Sequence, residues 1–396
     1  MNILYVSSLC SEKKVDVLSR TGNVKPEFAV QKFHKLLAEG FVLNDCEIET
    51  LSACPVSRSS HARIFWNRET EKNHGIFFHY LAFINYPFLR QITIFISGFL
   101  STISWIRRSS GQEKMIICDI LNVSVSASSL IAARLFRIKV VGIVTDLPRK
   151  MIGSKNKRKG LLDKMAPFVD EKLNNLYSFY VLLTLQMNKH INFNNRPSCI
   201  IEGVVDLNMV ALDPEKEPAF RTIVYAGRLL EANGIGHLIE AFRQINGDDL
   251  RLSIFGSGEM EKEMEEFMKL DNRLNFYGTV SNAEVIQAEL KATLLVNPRF
   301  TDAEFTKYSF PSKNLEYMVS GVPVLTTCLP GIPKDYYDYL YVVKDETVKG
   351  FVDALSAVFS LSDEELKSKG KLAKDFVLRE KNNISQTRKI LEMVRQ

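Results

Sequence analysis

Two kinds of segment alternate through the C-terminal half of the chain, and this alternation restricts the fold more than any other feature. Short apolar runs typical of buried strands are separated by segments whose apolar residues recur every three to four positions, as in amphipathic helices. Strands are predicted at 222–226, 251–255, 274–277, 293–297, 322–326 and 340–343, and helices at 235–245, 259–270, 283–291, 312–320 and 346–359. This order predicts a parallel, doubly wound α/β sheet.

The N-terminal half repeats the same order less regularly. Strands are predicted at 2–7, 47–51, 114–118 and 139–144, and helices at 29–39 and 124–136. A chain of 396 residues with 46% apolar content has room for two domains with sizeable cores. We therefore predict a first domain at 1–206 and a second at 207–375. The final helix, about 376–396, is predicted to pack back onto the first domain.

One predicted helix opens with residues that suit an anionic ligand. Pro311 fits the first position of this helix, and Ser312 and Lys313 fall in its first turn. Free backbone N–H groups, a hydroxyl and a lysine can together hold a phosphate. Glu316 follows one turn later, where its carboxylate can accept hydrogen bonds from neutral hydroxyls such as a ribose diol. The alternative is an ordinary helix with a solvated lysine and glutamate.

Arg228 strengthens the phosphate interpretation. It follows the predicted strand 222–226 and Gly227 directly, and a short loop then leads into the next helix. Ligands of open α/β sheets bind at the carboxyl ends of the strands, and a planar guanidinium suits a diphosphate. A lone arginine at such a position is more often a surface residue. Together with the helix of Lys313, however, it favours a site for a phosphorylated ligand.

Four motifs, in this order and spacing, resemble those of the retaining glycosyltransferases of family 4. They are AGRLLEANGI at 226–235, FGSG at 255–258, FYGTV at 276–280 and the segment 311–323. The resemblance is specific over about 200–345 and looser in the N-terminal half. It implies the GT-B architecture, in which two Rossmann-like, doubly wound domains face each other across a cleft. The family members that this chain most resembles build capsular, exo- or O-antigen polysaccharides in bacteria.

The resemblance also implies a reaction and its participants. A sugar is moved from a nucleotide sugar, UDP-linked by family frequency, to a hydroxyl of a lipid-linked glycan acceptor, with retention at the anomeric carbon. Neither a metal nor another cofactor is expected. Association with other polysaccharide-synthesis enzymes is expected. Arg228 and Lys313 are the predicted catalytic groups on the leaving diphosphate. The predicted donor-binding residues are Gly227, Arg228, Asn233, Gly278, Val280, Tyr308, Pro311, Ser312, Lys313 and Glu316.

Two positions of the second domain depart from the family pattern. Asn233 stands where a lysine usually follows the motif arginine, and Tyr308 stands at the first glutamate of the paired-glutamate motif. Glu304, four residues earlier, is the candidate for reaching the same sugar hydroxyls. These departures keep two alternatives open: a nucleotide-sugar epimerase of the same architecture, and a catalytically silent member that binds a nucleotide sugar or partner enzymes.

A third departure lies in the first domain. Many family members carry a histidine after the strand that corresponds to 139–144, where this chain has Thr145 and Asp146. Asp146 thus becomes the predicted catalytic residue that contacts the acceptor or the donor sugar. The alternative is that Asp146 only caps a turn before Pro148.

An apolar stretch at 76–106 indicates contact with a membrane. It is rich in Phe, Tyr, Leu and Ile, Arg90 is its only Lys or Arg, and Arg107 and Arg108 follow it. Recurring polar residues favour an amphipathic helix lying on the surface over a spanning one, and the basic run at 150–159 suits anionic headgroups. The alternative is a buried helix with a solvated basic loop. We predict a cytoplasmic protein, peripheral on the inner face of the plasma membrane.

Composition argues against several other classes of protein. A net charge of +5 without an RNA- or DNA-binding motif predicts no nucleic-acid partner. The six cysteines are scattered, without a CxxC pair, which predicts free thiols in a reducing compartment and no metal site. The N-terminus enters a strand directly, so no signal peptide is predicted.

Overall fold

The computed structural model describes residues 1–23, 28–109, 113–147, 172–207 and 220–396. They divide into two compact units, Met1–Val204 with Asn383–Gln396, and Val205–Asn382. Each unit is built on its own sheet. Pro148, the basic run at 150–159 and residues 208–219, at the start of the predicted second domain, lie outside the described residues.

The first unit contains a mostly parallel sheet of eight strands. Its strands are β1 (Asn2–Ser7), β2 (Glu47–Ser52), β4 (Glu69–Asn73), β5 (Ile76–Tyr80), β7 (Lys114–Asp119), β8 (Lys139–Val144), β9 (Phe179–Leu182) and β10 (Ser198–Ile200), while β3 (Phe65–Trp66) and β6 (Phe83–Ile84) pair separately. Their order is β10-β9-β8-β7-β1-β2-β5-β4, and only β4 is antiparallel to its neighbour. Because the chain winds outward from β1 in both directions, the sheet is doubly wound.

Helices of the first unit connect and cover these strands. They are α1 (Glu12–Thr21), α2 (Phe28–Leu43), α3 (Leu89–Arg108), α4 (Val123–Leu135), the short α5 (Asn188–Ile191) and the last helix of the chain, α12 (Asn383–Arg395). The amide Nδ2 of Asn44, just after α2, donates to the carbonyl of Ile384 and the hydroxyl of Thr387, at 3.0 and 2.9 Å. These bonds attach the C-terminal helix to the first unit.

The second unit contains a six-stranded sheet in which all neighbours are parallel. Its strands are β11 (Arg221–Ala226), β12 (Leu250–Phe255), β13 (Leu274–Phe276), β14 (Leu294–Asn297), β15 (Val324–Thr327) and β16 (Tyr341–Val343). The order β13-β12-β11-β14-β15-β16 reverses its direction of winding between β11 and β14. Such a reversal separates the loops that follow the two strands, and open α/β sheets bind ligands in the crevice that results.

Helices on both faces of this sheet bury two apolar cores. They are α6 (Ile235–Arg243), α7 (Met264–Leu270), α8 (Asn282–Leu290), α9 (Ser312–Ser320), α10 (Val348–Phe359) and α11 (Asp363–Glu380). Successive strand residues point to opposite faces, so Ile223 lies in the core under α6 and α10, and Val224 lies in the core under α9 and α11. The chain leaves this unit at Asn383, later than the predicted 376, because α11 continues and buries Phe376 in the second core.

The apolar stretch at 76–106 is not one helix. Its first residues form the strand Ile76–Tyr80, and only Leu89–Arg108 is helical. One side of α3 packs closely on α4: a Cβ at Gly98 would lie 2.4 Å from the hydroxyl of Ser128. Of the described helices, α3 is the one whose length and composition would allow it to cross a membrane. Of its apolar residues and their neighbours along the helix, 28% are buried.

Candidate functional site

Three loops meet at the carboxyl edge of the second sheet, after β11, β12 and β13. The amide of Gly227 donates to Phe255 O at 3.0 Å, and the amide of Gly256 donates to Gly278 O at 2.8 Å. Gly256 has φ +125°, and a Cβ there would lie 1.8 Å from Gly227 O. Since only glycine permits this approach, the FGSG motif fixes the loop that carries the arginine.

Arg228 has a firmly held backbone and an exposed side chain. Its carbonyl accepts from the hydroxyl of Tyr225 and from Nδ2 of Asn233, both at 2.8 Å, and from the amide of Leu230 at 3.0 Å. Among the described residues, no carboxylate forms an ion pair with its guanidinium. The loop therefore fixes the backbone of Arg228 at the crevice between β11 and β14, and within the described part of the chain no carboxylate neutralises its exposed guanidinium.

Asn233 supports this loop rather than presenting its own side chain. Its amide nitrogen is committed to the carbonyl of Arg228. The next residue, Gly234, has φ +70° and is the N-cap of α6. In the structure the side-chain amide nitrogen of Asn233 bonds within the loop, and donor binding by this residue stays a prediction.

The first turn of α9 is anchored from two strands. Pro311 precedes the helix as its cap, so the helix begins at Ser312. The buried side chain of Asn314 accepts from Asn297 Nδ2 at 2.7 Å, and its own Nδ2 donates to the hydroxyl of Thr326 at 3.4 Å. These contacts hold the helix N-terminus at the same sheet edge as Arg228, with Ser312 exposed.

Lys313 and Glu316 lie side by side on α9, and both are partly exposed. The ammonium of Lys313 is 3.5 Å from a carboxylate oxygen of Glu316 and 4.0 Å from a carboxylate oxygen of Glu289 on α8. Glu289 is buried. Its burial raises the pKa of Glu289 to about 7, against the lowering effect of Lys313, while nearby Glu316 raises it further. Lys313 thus stands between one solvated and one buried carboxylate.

Replacing Glu289 with glutamine is expected to stabilise the protein in a pH-dependent way. Below about pH 4.5 the carboxyl is protonated in both the folded and the unfolded chain, so the change should have little effect. Between about pH 4.5 and pH 7 the unfolded chain ionises this carboxyl while the folded chain keeps it protonated, so by about pH 7 the wild type has lost on the order of 3 kcal/mol of unfolding free energy. Urea unfolding at pH 5 and pH 8 measures the difference. An equal effect of Glu289→Gln at both pH values would contradict the assigned cause.

The loop after β13 carries an aromatic surface. The Tyr277 ring stacks on the Phe255 ring with centroids 4.7 Å apart and planes 7° from parallel, and Tyr277 remains 52% exposed. Gly278 has φ +65°, and Val280 packs partly buried against the second core. The loop therefore offers one free ring face at the crevice edge, and its prediction as the surface for a base stays a prediction.

The remaining predicted residues fall into two places. In the second unit, Glu304 is exposed at the start of a short 3-10 helix, whereas Tyr308 is buried, 8% exposed. Of these two, Glu304 offers the accessible side chain. Asp146 lies in the first unit, exposed and two residues after the end of β8. The described residues contain no group of three or more His, Cys, Asp or Glu side chains that could hold a metal ion.

Sequence reasoning missed three residues that organise this edge. Asn314 fixes the first turn of α9, and Glu289 faces it through Lys313. Arg299 follows β14 beside the loop of Arg228. A signal existed for Glu289, because it lies on the face of α8 that also carries the partly buried Val285 and Ala288. A carboxylate on an apolar helix face is uncommon without a partner.

The sequence comparisons identify this region. Residues 220–360 match the family model described as Glycosyl transferases group 1. This match lies within the second unit and includes both Arg228 and Lys313. A curated relative from Escherichia coli (strain K12), WcaL, named as a candidate colanic acid biosynthesis glycosyltransferase, is 28% identical over 181 residues. That alignment covers 44% of this chain and 45% of WcaL, so the chain matches about half the length of this relative.

Solved structures resemble the chain over its whole length. Sucrose-phosphate synthase of Thermosynechococcus elongatus has 13% identity and a TM-score of 0.61, and HepE of Anabaena in complex with UDP has 12% and 0.62. The lipopolysaccharide outer core galactosyltransferase WaaB has 15% and 0.59. Each match covers 100% of this chain and 99% of the other. At these identities the likeness shows the fold, which confirms the predicted GT-B class with its two Rossmann-like domains.

Proposed function

We propose that the protein is a retaining glycosyltransferase of family 4. It transfers a sugar from a UDP-linked donor to a hydroxyl of a lipid-linked glycan acceptor in cell-surface polysaccharide synthesis, without a metal. One observation carries the proposal: the first turn of α9, with Lys313, lies at the same sheet edge as Arg228, which forms no ion pair with the described residues. Both belong to the segment that matches the group 1 family.

The chemistry of donor cleavage explains why these cations matter. Breaking the bond between sugar and nucleotide builds positive charge on the anomeric carbon and negative charge on the leaving diphosphate. Groups that contact the diphosphate more strongly in the transition state than in the bound donor accelerate this step. Arg228, Lys313 and the free amides near Ser312 are the groups that we assign to the diphosphate, and Glu316 is assigned to the ribose hydroxyls.

Two exposed carboxylates are assigned to the sugar and the acceptor. Asp146 follows a buried strand of the first unit, and Glu304 precedes the helix of Lys313 in the second. Each is exposed, so each is available to a ligand. The proposal assigns both to the transferring sugar or the acceptor. On this assignment Asp146→Asn and Glu304→Gln reduce turnover and leave the affinity for free nucleotide nearly unchanged.

An assay with nucleotide sugars and lipid-linked acceptors tests the reaction. The purified protein is incubated with each donor, with and without acceptor and with a metal chelator, and the products are separated and their anomeric configuration is determined. The proposal expects transfer with retention that the chelator does not reduce. Inverted product, or transfer that stops with the chelator, contradicts the mechanism.

The same assay separates the two alternatives. Asn233 forms a hydrogen bond within its loop, and Tyr308 is buried. Both observations are compatible with a catalytically silent member of the family, so this alternative is tested. A silent nucleotide-sugar binder is stabilised by a donor without product, because a ligand that binds the folded state shifts the thermal midpoint. An epimerase of the same architecture converts the donor without any acceptor. Transfer to the acceptor excludes both.

We also propose that α3 binds the inner face of the plasma membrane. Its solvent side presents Ile92, Ile96 and Leu100, each more than half exposed and four residues apart. Arg107 and Arg108 lie in its last turn, where cations suit anionic headgroups, although Arg108 also pairs with Glu49. An apolar stripe with basic residues at one end is typical of a helix that lies in the membrane interface.

Vesicle sedimentation tests the membrane proposal. The wild type is expected to sediment with anionic phosphatidylglycerol vesicles at low salt and less at high salt. The double variant Ile92→Ser with Ile96→Ser should lower this affinity about 100-fold, since each isoleucine buries apolar surface. Leu270→Ser is the control, because Leu270 is similarly exposed, at 57%, but lies in the second unit. Equal losses in both variants, or no sedimentation of the wild type, would refute the proposal.

A further inference from the structure

The proposed donor site offers few uncommitted cations to a leaving diphosphate. A leaving nucleoside diphosphate gains negative charge as the sugar departs, and buried or partly buried cations stabilise it. Asn233 is neutral, and its amide already holds the carbonyl of Arg228. The charge of Lys313 is shared with Glu316 and Glu289. In the part of the chain that the structure describes, Arg228 is therefore the one assigned group with a wholly uncommitted positive charge.

Arg299 lies on the other side of the same crevice. It follows β14, the strand next to β11 across the point where the winding of the sheet reverses. Its neighbours pack on the loop that follows Arg228: the amide of Phe300 donates to Ala232 O at 3.4 Å, and a Cβ at Gly234 would lie 2.0 Å from Pro298 O. The segment of Arg299 and the loop of Arg228 are thus in direct backbone contact.

The backbone and the charge of Arg299 have different surroundings. Its carbonyl accepts from the hydroxyl of Thr327 at 2.5 Å, which ties it to the end of β15. Its guanidinium lies 4.5 Å from the centroid of the Phe305 ring and also lies near Tyr225. Tyr225 is the residue whose hydroxyl donates to the carbonyl of Arg228. The guanidinium of Arg299 therefore lies near the tyrosine that holds the loop of Arg228.

No carboxylate among the described residues neutralises Arg299. Its Nε is buried and has no hydrogen-bond partner. Burial also lowers the pKa of Arg299. An unsatisfied buried donor on a charged group is costly, and such groups are rare in folded proteins unless a ligand or water completes them. A crevice that holds this group suits an anion.

We propose that Arg299 binds the diphosphate of the donor together with Arg228 and supplies the positive charge that Asn233 cannot. This inference rests on the proposed function, since it assigns a further residue to the same site. Two guanidiniums on facing loops can contact different phosphate oxygens, and each can make two parallel hydrogen bonds. The contact of Arg299 with Phe305 holds the planar group over an aromatic face, which limits its rotamers before the ligand binds.

Calorimetric titration of nucleotides separates this role from a structural one. UDP, ADP and GDP are first titrated into the wild type, and the diphosphate that binds is then compared with its monophosphate. Arg299→Gln should lower the affinity for the diphosphate by about 10- to 100-fold, which is the loss expected for one charge-assisted contact. It should lower the affinity for the monophosphate much less. Arg299→Lys should recover part of the lost affinity because it restores the charge. Arg243→Gln is the control, because Arg243 pairs with Glu240 on α6.

The outcomes distinguish two failures. If the wild type binds a diphosphate and Arg299→Gln binds it equally well, the inference is wrong and the proposed function stands. If Arg299→Gln lowers the affinities for the diphosphate and the monophosphate equally, Arg299 acts by packing on Phe305 and the inference is wrong. If the wild type binds none of the three diphosphates, the proposed function fails and the inference fails with it.

Discussion

Lys313→Ala and Arg228→Ala are each expected to lower kcat/KM for sugar transfer by about 100-fold or more. Each change removes a cation from the charge that develops on the leaving diphosphate, and the loss of one such donor typically has this size. Because these contacts strengthen in the transition state, kcat should fall as well as the affinity for the donor. Steady-state kinetics with saturating acceptor measures both parameters.

Lys313→Ala needs a control for folding. Removing Lys313 leaves Glu289 buried without its nearby cation, which destabilises the folded state above about pH 7. The double variant Lys313→Ala with Glu289→Gln removes this unpaired carboxylate and should fold normally at pH 8, yet stay inactive. Lys349→Ala changes an exposed lysine on α10 and should keep wild-type kinetics. Recovery of activity in the double variant would show that Lys313 acts on folding and not on the diphosphate.

The alternation of strands and helices in the second unit was predictable because its patterns are local. Leu294–Asn297 and Ser312–Ser320, for example, lie within a residue of the predicted bounds or match them. Short apolar runs bury both faces of a parallel sheet, and amphipathic segments cover it, so the period of the pattern decides each element. The order of the elements then restricts the topology to a doubly wound sheet.

The apolar stretch at 76–106 was harder because burial alone does not distinguish a strand from a helix. Ile76–Tyr80 is apolar as a strand of the first sheet, while α3 is apolar on the side that packs on α4 and also on its exposed side. A short apolar run is compatible with either structure from its pattern alone. The pairing of β5 with β2 and β4 is a tertiary contact, and it decides the assignment.

The site was predictable only where a residue is recognisable by its position in a motif. Arg228 and Lys313 follow from strand ends and helix starts, which sequence patterns indicate. Arg299 does not, because its relevance depends on β14 lying beside β11, although the two strands are far apart in sequence. The role of Asn233 also could not be derived, since its side chain was free to bind either a ligand or the carbonyl of Arg228.

Gly234→Ala should disable the donor site through the backbone rather than through charge. Gly234 has φ +70°, a left-handed conformation that costs an alanine about 1–2 kcal/mol. The new Cβ would also lie 2.0 Å from Pro298 O, a backbone atom that cannot move without its strand. The loops of Arg228 and Arg299 must then separate. We expect an unfolding free energy lower by about 3 kcal/mol or more, and loss of nucleoside diphosphate binding.

Gly236→Ala, two residues further on, is the matched control for this prediction. Gly236 lies within α6, and a Cβ there would meet only the flexible end of the Met260 side chain, at 3.3 Å. Alanine is a better helix former than glycine by about 0.5–1 kcal/mol, so this variant should be as stable as the wild type or more stable, and should bind nucleotide normally. Thermal unfolding and calorimetric titration measure both effects. Because the two changes add the same methyl group to neighbouring glycines, a difference between them isolates the contact between the loops that follow β11 and β14. If both variants bind a nucleoside diphosphate as the wild type does, that contact does not hold the site together.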